Sequence, residues 1–350
     1  MRVKIFVNSP FQVIGAWEFM EALPGFVRGS TPVFDLALLD AGTDTSVRQT
    51  RDTAARLGIP CRAIGSGARG VAGARELFRL MRAELGELAS DDLVAVGDPC
   101  FDLYQDLLAR TPTEIAWVLD DGVGNWRSLR AVVEGDPLPG PLRPGFARGV
   151  AKRLVLGELR VPPRDRLRWF TLFARYLGEH EHVVQNRFTR LKAKSRLTAP
   201  SERVLFLGSP LVAAGIQSTS DYTAFCRQAA GTLAGRYPGA ALTYLRHRRE
   251  GPGEAAGAAH FPAVEDSMGP VELRWLGGSS PPRAVAGAFS TALFTLAELL
   301  RGTSDIICLW PGGGFEFMAR RAQLNQLLPL FEIGHSEGSI ELVMIGRSCI

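Results

Sequence analysis

Four short stretches carry residues whose types and placement can do chemistry. Asp120-Asp121-Gly122 closes an apolar run, Glu114–Leu119. Neighbouring side chains at a strand end point to opposite sides, so one carboxylate can face a ligand and accept a hydroxyl proton as general base while the other turns aside. Gly122 permits a sharp turn and a close approach of a sugar to the backbone. The same tripeptide is also an ordinary turn signature. His247 follows Thr243-Tyr244-Leu245 and is surrounded by Arg246, Arg248 and Arg249. A histidine so placed suits an anion, which it can hydrogen-bond or protonate as a phosphate leaves. Ser290-Thr291 opens an apolar helical pattern. Hydroxyls and free N–H groups at a helix start can hold a phosphate, or the pair can simply cap the helix. Glu272, in Pro270-Val271-Glu272-Leu273, reads as an acid at the end of a short strand. There it can accept hydrogen bonds from both ribose hydroxyls, or sit exposed in solvent.

The elements that must position these residues alternate short apolar runs with amphipathic segments, the pattern of a parallel sheet with crossover helices. Strands are predicted at Val3–Val7, Phe34–Leu39, Cys61–Ile64, Asp92–Val96, Glu114–Leu119 and Val183–Asn186. Helices are predicted at Phe11–Leu23, Ser46–Leu57, Val71–Leu88 and Phe101–Arg110. Glu134–Pro163 reads as irregular. Arg164–Gly178 reads as amphipathic, with Trp169, Phe170, Phe173 and Tyr176 at helical spacing, a core face or else a membrane-facing one. The pattern starts afresh after Pro200. Strands at Arg203–Leu207, Ala241–Leu245, Val271–Leu273, Ala284–Gly287 and Asp305–Leu309 alternate with helices at Ser220–Arg236, Ala292–Leu300 and Phe315–Leu328. Gly251–Ala259 reads as a loop. The expected fold class is therefore α/β: two Rossmann-like domains, 1–195 and 196–350, facing a central cleft, with ligands beyond the carboxyl ends of the strands.

Composition narrows the function classes. At 350 residues, 46% hydrophobic and 22% charged, the chain has the material for two cores. Five scattered cysteines without a C-x-x-C pair argue against a disulfide framework or a zinc site. The first strand starts beside Met1 and no apolar run approaches the roughly 20 residues of a membrane span, so the expectation is a cytoplasmic protein with at most peripheral membrane contact. Net charge is +4, with basic residues concentrated between Arg143 and Arg203. That stretch is either a solvated face or a surface for an anionic acceptor or lipid headgroups. No nucleic-acid-binding motif accompanies it, so no nucleic-acid partner is expected.

The order of the four stretches resembles that of the bacterial GT-B sialyltransferases and polysialyltransferases. The resemblance also includes Val7-Asn8-Ser9-Pro10-Phe11-Gln12, Leu207-Gly208-Ser209-Pro210-Leu211-Val212 and Phe289-Ser290-Thr291-Ala292-Leu293. It implies an inverting, metal-independent glycosyltransferase with no cofactor, moving sialic acid or a related nonulosonic acid from a CMP-sugar co-substrate to a glycan. The amino-terminal domain would serve the acceptor and the carboxy-terminal domain the donor. Asp121 would be the general base with Asp120 beside it. His247 would match the histidine of a His-Pro motif on the donor phosphate. Glu272 would bind ribose, and Ser290 and Thr291 the phosphate. Ser9, Gly122, Gly208 and Ser209 would line the substrate sites. The departure is Arg248, where the family carries proline. A CMP-Kdo or UDP-sugar transferase, a sugar epimerase, and a non-catalytic polyanion-binding protein are the competing expectations.

Overall fold

The first strand, β1 (Arg2–Val7), places Val3, Ile5, Phe6 and Val7 wholly out of solvent. A strand that buries successive residues belongs inside a parallel sheet covered on both faces, not at a half-wet antiparallel one. In the computed structural model, which describes residues 1–27, 31–40, 44–65, 70–99, 102–122, 124–136, 160–312 and 327–346, that is where it lies. The chain divides into two units, Met1–Arg190 and Leu191–Ile350.

Unit 1 holds seven parallel strands in the order β3-β2-β1-β4-β5-β6-β7. They are β1, β2 (Val33–Leu39), β3 (Cys61–Ile64), β4 (Leu93–Val96), β5 (Ala116–Leu119), β6 (Leu167–Thr171) and β7 (Val183–Gln185). Its helices are α1 (Pro10–Ala22), α2 (Asp44–Arg56), α3 (Gly70–Leu85), α4 (Asp102–Arg110) and α5 (Gly124–Glu134). Ser9 sets the start of α1: its hydroxyl accepts from Gln12 N, and Pro10 occupies the first turn, where its missing N–H costs nothing. α1 packs against the end of β5, with Gly15 facing the Asp120 backbone and the Leu119 side chain.

A short helix, α6 (Thr189–Lys194), contains the division between the units. Unit 2 holds six parallel strands in the order β10-β9-β8-β11-β12-β13. These are β8 (Ser201–Leu207), β9 (Ala241–Arg246), β10 (Ala263–Asp266), β11 (Pro282–Gly287), β12 (Asp305–Pro311) and β13 (Glu341–Ile345). The helices are α7 (Thr219–Arg236), α8 (Pro252–Ala258), α9 (Thr291–Leu299) and α10 (Leu328–Ser336). Phe206, Tyr222, Phe225, Tyr244 and Phe261 form its aromatic centre; the Phe206 and Phe261 rings stack 4.8 Å apart. Counted from its own first strand, each sheet runs 3-2-1-4-5-6, with a seventh strand added at the end of the first, the doubly wound order that reverses direction beside its first strand.

Three sequence expectations need correction. Arg164–Gly178 is β6 with flanking single turns; Trp169 and Phe170 are buried in the sheet, and Phe173 is buried at the start of the turn after it. A fully buried strand lacks two-residue alternation, so its aromatics mimic a helical face. Gly251–Ala259 forms α8, started by Pro252 and by Glu254 Oε2, which accepts from Gly251 N at 2.9 Å. Val271–Leu273 belongs to a 3-10 turn, Val271–Trp275, outside the sheet. α5, β10 and β13 were not expected. Most of the expected helix Phe315–Leu328 lies outside the described residues.

Candidate active site

The carboxyl edge of the first sheet brings together the ends of β1, β4 and β5. Asp121 Oδ1 accepts from Ser9 Oγ at 2.9 Å, joining the two stretches at the ends of β1 and β5. Asn125 Nδ2 donates to Gly97 O at 3.1 Å and Leu119 O at 2.9 Å, fixing the ends of β4 and β5 to each other. Gly97 makes room for the Gln12 side chain: a Cβ there would stand 2.0 Å from Gln12 Cδ and force it to move. Gly122 has φ +100°, a left-handed region that a side chain disfavours, and its carbonyl accepts from Asn125 N. The buried Tyr104 phenol is driven well above its ordinary pKa, first by burial and then by the charges of Asp121 and Asp98.

The two adjacent acids play different parts. Asp121 is half-buried, whereas Asp120 has no exposed surface. Asp120 Oδ1 accepts from Thr171 Oγ1 at 2.5 Å, and Oδ2 accepts from Leu172 N at 2.8 Å and Asn186 Nδ2 at 3.3 Å. Burial raises its carboxyl to about 6 against the pull of those three donors. Asp120, expected beside the substrate, is instead an internal brace between β5 and the ends of β6 and β7.

The carboxyl edge of the second sheet carries the other expected residues after β8, β9 and β11, which are adjacent. His247 Nδ1 accepts from Arg249 N at 3.1 Å. The neutral ring therefore carries its proton on Nε2, a donor suited to a phosphate oxygen. Burial, then the charges of Arg248 and Arg249, lower its pKa to about 4. At neutral pH the ring is therefore uncharged, with its Nε2 proton available to donate. Ser209 Oγ donates to Ala288 O at 3.0 Å and ties the end of β8 to the end of β11. Phe289 follows with φ +52°, unusual for a residue with a side chain, its ring edge-on to Trp310 at 4.5 Å. Ser290 then takes the N-cap position of α9, but its side chain makes no capping bond. The simple capping role is thus absent, and the hydroxyl stands at a helix start with Thr291 next to it.

Glu272 is placed by the turn before β11 and is 4% exposed. Burial raises its carboxyl to about 7, partly offset by the nearby charge of Arg248. Arg248, in the place of the family's proline, therefore lies within electrostatic reach of Glu272. Gly208 has no room for a side chain: a Cβ would meet Glu250 Oε1 at 2.1 Å and Tyr244 Oη at 2.6 Å.

Sequence reasoning missed Glu250, whose Oε1 accepts from His247 N at 2.9 Å and Tyr244 Oη at 3.0 Å. Its signal was an acid three residues after His247, close enough to close the turn. Thr171, Asn186, Tyr222 and Tyr244 gave no signal, because polar groups that meet only in the folded state have no spacing of their own.

Several basic residues in the described part of that stretch are engaged within the fold. Arg166 donates to the carbonyls of Thr111 and Thr113, and Arg168 to those of Asp165 and Leu167. Arg190 lies over the Trp17 ring, Lys192 pairs with Glu298, and Arg203 pairs with Glu265. Among the described residues no helix is long and apolar enough to cross a membrane, and no three His, Cys, Asp or Glu side chains group as metal ligands.

No family model matches the sequence, and no curated protein is significantly similar to it. Solved structures are similar in fold. The S. aureus MnaA–UDP complex aligns over 99% of this chain and 85% of its own at 9% identity and a TM-score of 0.51. A Listeria monocytogenes protein taken to be a UDP-N-acetylglucosamine 2-epimerase aligns over 97% and 89% at 10% identity and 0.50. The GT-B domain of a Photobacterium damselae sialyltransferase aligns over 98% and 100% at 12% identity and 0.48. The chain has the α/β fold of the GT-B group, two Rossmann-like units each wound about a parallel sheet.

Proposed function

We propose that this protein is an inverting glycosyltransferase that takes an acidic sugar from a CMP-sugar donor and passes it to a glycan hydroxyl. The observation that carries this reading is the second sheet's edge, where a neutral His247 with its proton on Nε2 and a Ser290 hydroxyl without a capping bond stand after neighbouring strands. Neutral donors and a helix start suit the single phosphate of a monophosphate leaving group. The motif order, from Asp121 through His247 and Glu272 to Ser290-Thr291, supports a nonulosonic acid as the sugar.

In the proposed step the acceptor oxygen attacks the anomeric carbon and its proton passes to the Asp121 carboxylate. The bond from the anomeric carbon to the phosphate oxygen breaks, and CMP departs with its charge held by His247, Ser290 and Thr291. Ser9 holds the Asp121 carboxylate in place. The attack and departure lie on opposite faces, so configuration inverts. Protein hydrogen bonds do the work of charge stabilisation, and no metal or cofactor enters. Glu272 takes the ribose hydroxyls. Peripheral contact with the inner membrane face would suit a lipid-linked acceptor.

The fold likeness to a UDP complex favours one competing reading, a UDP-sugar transferase or epimerase. Calorimetric titration with CMP and with UDP, both in EDTA, separates the two. The CMP-sugar reading expects CMP to bind without metal and at least about tenfold more tightly than UDP, a difference of about 1.4 kcal/mol. Tighter UDP binding would replace the donor assignment.

A further inference from the structure

Glu250 is a half-buried acid of unit 2 that binds both the His247 turn and a buried tyrosine, and the motif pattern leaves it without a role. Ser209 N donates to Tyr222 Oη at 3.2 Å, the Tyr222 and Tyr244 hydroxyls are 2.7 Å apart, and Tyr244 Oη donates to Glu250 Oε1 at 3.0 Å. His247 N donates to the same oxygen at 2.9 Å. A hydroxyl has one proton, so the directions are fixed. Tyr244 gives its proton to Glu250, Tyr222 gives its proton to Tyr244, and Tyr222 accepts from Ser209. The chain extends once more, from Ser209 Oγ to Ala288 O at the end of β11.

Both tyrosines are fully buried, and the carboxyl's second oxygen, Oε2, is buried without a hydrogen-bond partner among the described residues. Tyr244, the His247 backbone, Glu254 and Arg246 are the groups that act on Glu250, whose pKa is raised to about 7 chiefly by burial. Tyr222 is in turn flanked by Cys226. The absence of a side chain at residue 208 belongs to this arrangement, since a Cβ would occupy the place of Glu250 Oε1 and Tyr244 Oη.

We propose that Glu250 is a positioning residue that locks the His247 turn to the Ser209 loop, and through Ser209 to the end of β11 that leads into Ser290. It acts through the tyrosine pair and not by touching the ligand. A nucleotide phosphate then meets groups from three strand ends already in register, without an ordering cost at binding. The role of this register rests on the nucleotide-binding reading above; the coupling itself does not.

The test compares the parent protein with Glu250→Gln, Glu250→Ala and Tyr244→Phe. Amide hydrogen exchange is followed over residues 204–212 and 244–251, and CMP affinity is measured by calorimetry. Glu250→Ala should accelerate exchange in both segments, although the Ser209 amide donates to Tyr222 and not to residue 250, and weaken CMP by about tenfold, the loss of about one hydrogen bond's worth of order. Glu250→Gln keeps an oxygen that accepts both bonds and should restore slow exchange and CMP binding to within about threefold of the parent. Tyr244→Phe, which is nearly isosteric, should accelerate exchange over 204–212 and so gives the answer even where Glu250→Ala does not fold. Fast exchange confined to 244–251, or unchanged CMP affinity in Glu250→Ala, would overturn the proposal. A parent protein that binds no CMP would remove the nucleotide reading alone, and the exchange pattern would then decide the coupling by itself.

Discussion

The carboxyl edges of the two sheets share one topology and carry opposite chemistry. In unit 1 the residues after β1, β4 and β5 are Ser9, Asp98 and the pair Asp120–Asp121; in unit 2 those after β8, β9 and β11 are Ser209, His247 with two arginines, and Ser290-Thr291. The first edge is rich in carboxylate, which repels a phosphate and suits a hydroxyl. The second offers hydroxyls, a neutral imidazole and cations, which suit an anion. The strand order decides where a ligand can sit, and the residues at the strand ends decide which ligand it is. The buried acids repeat the contrast. Asp120 has donors on both oxygens, whereas Glu250 shares one oxygen between two donors and, among the described residues, leaves the other without one.

The largest effect that would sharpen this contrast is on turnover. Asp121→Ala should lower kcat by about 10²–10⁴, the usual worth of a positioned general base. A transfer assay with CMP-sialic acid and a glycan acceptor measures it. Full turnover in that variant would remove the base from the first edge and leave its acids without a chemical role.

A smaller effect separates Asp120 from its neighbour. Its folded carboxyl titrates at about 6, above the ordinary 3.8, so the folded state holds the proton more tightly than the unfolded one. The stability contributed by this group is therefore greatest below about pH 3.8 and falls as pH rises through about 6. Asp120→Asn cannot titrate. The stability of the parent relative to Asp120→Asn should thus grow as pH is lowered from 7 to 4, by an amount on the order of 1–3 kcal/mol, read from urea unfolding at each pH. A constant difference across that range would mean that Asp120 is not the buried, proton-holding brace described here.

Much of the scaffold is written locally. β3 lies where the apolar run Cys61–Ile64 predicts it, and β1, β2, β8 and α7 begin within two residues of their expected starts. Their signals are short: a buried run, a proline, a serine cap. The failures also have physical causes. β6 hides because burial on both faces erases alternation, and α8 hides because its glycine and alanine residues resemble a loop until Glu254 caps it. β10, with Val264 exposed, has too little apolar content to announce a strand. At the candidate site, the sequence points to residues that follow strands, such as Asp121, His247 and Ser290. It is silent on Thr171, Asn186, Tyr222 and Tyr244, which matter only through contacts with residues far along the chain. Residue type and position alone leave open which of Asp120 and Asp121 turns aside, and burial is what makes Asp120 a brace.

The most direct measurement of the division between the two edges is calorimetric titration of CMP into Ser290→Ala and Asp121→Ala beside the parent. Ser290→Ala should weaken CMP by about tenfold or more, since a hydrogen bond to a charged group is worth about 1.5–3 kcal/mol, while Asp121→Ala should bind as the parent does. Unchanged affinity in Ser290→Ala, or a comparable loss in Asp121→Ala, would contradict the assignment of the nucleotide to the second edge and the base to the first.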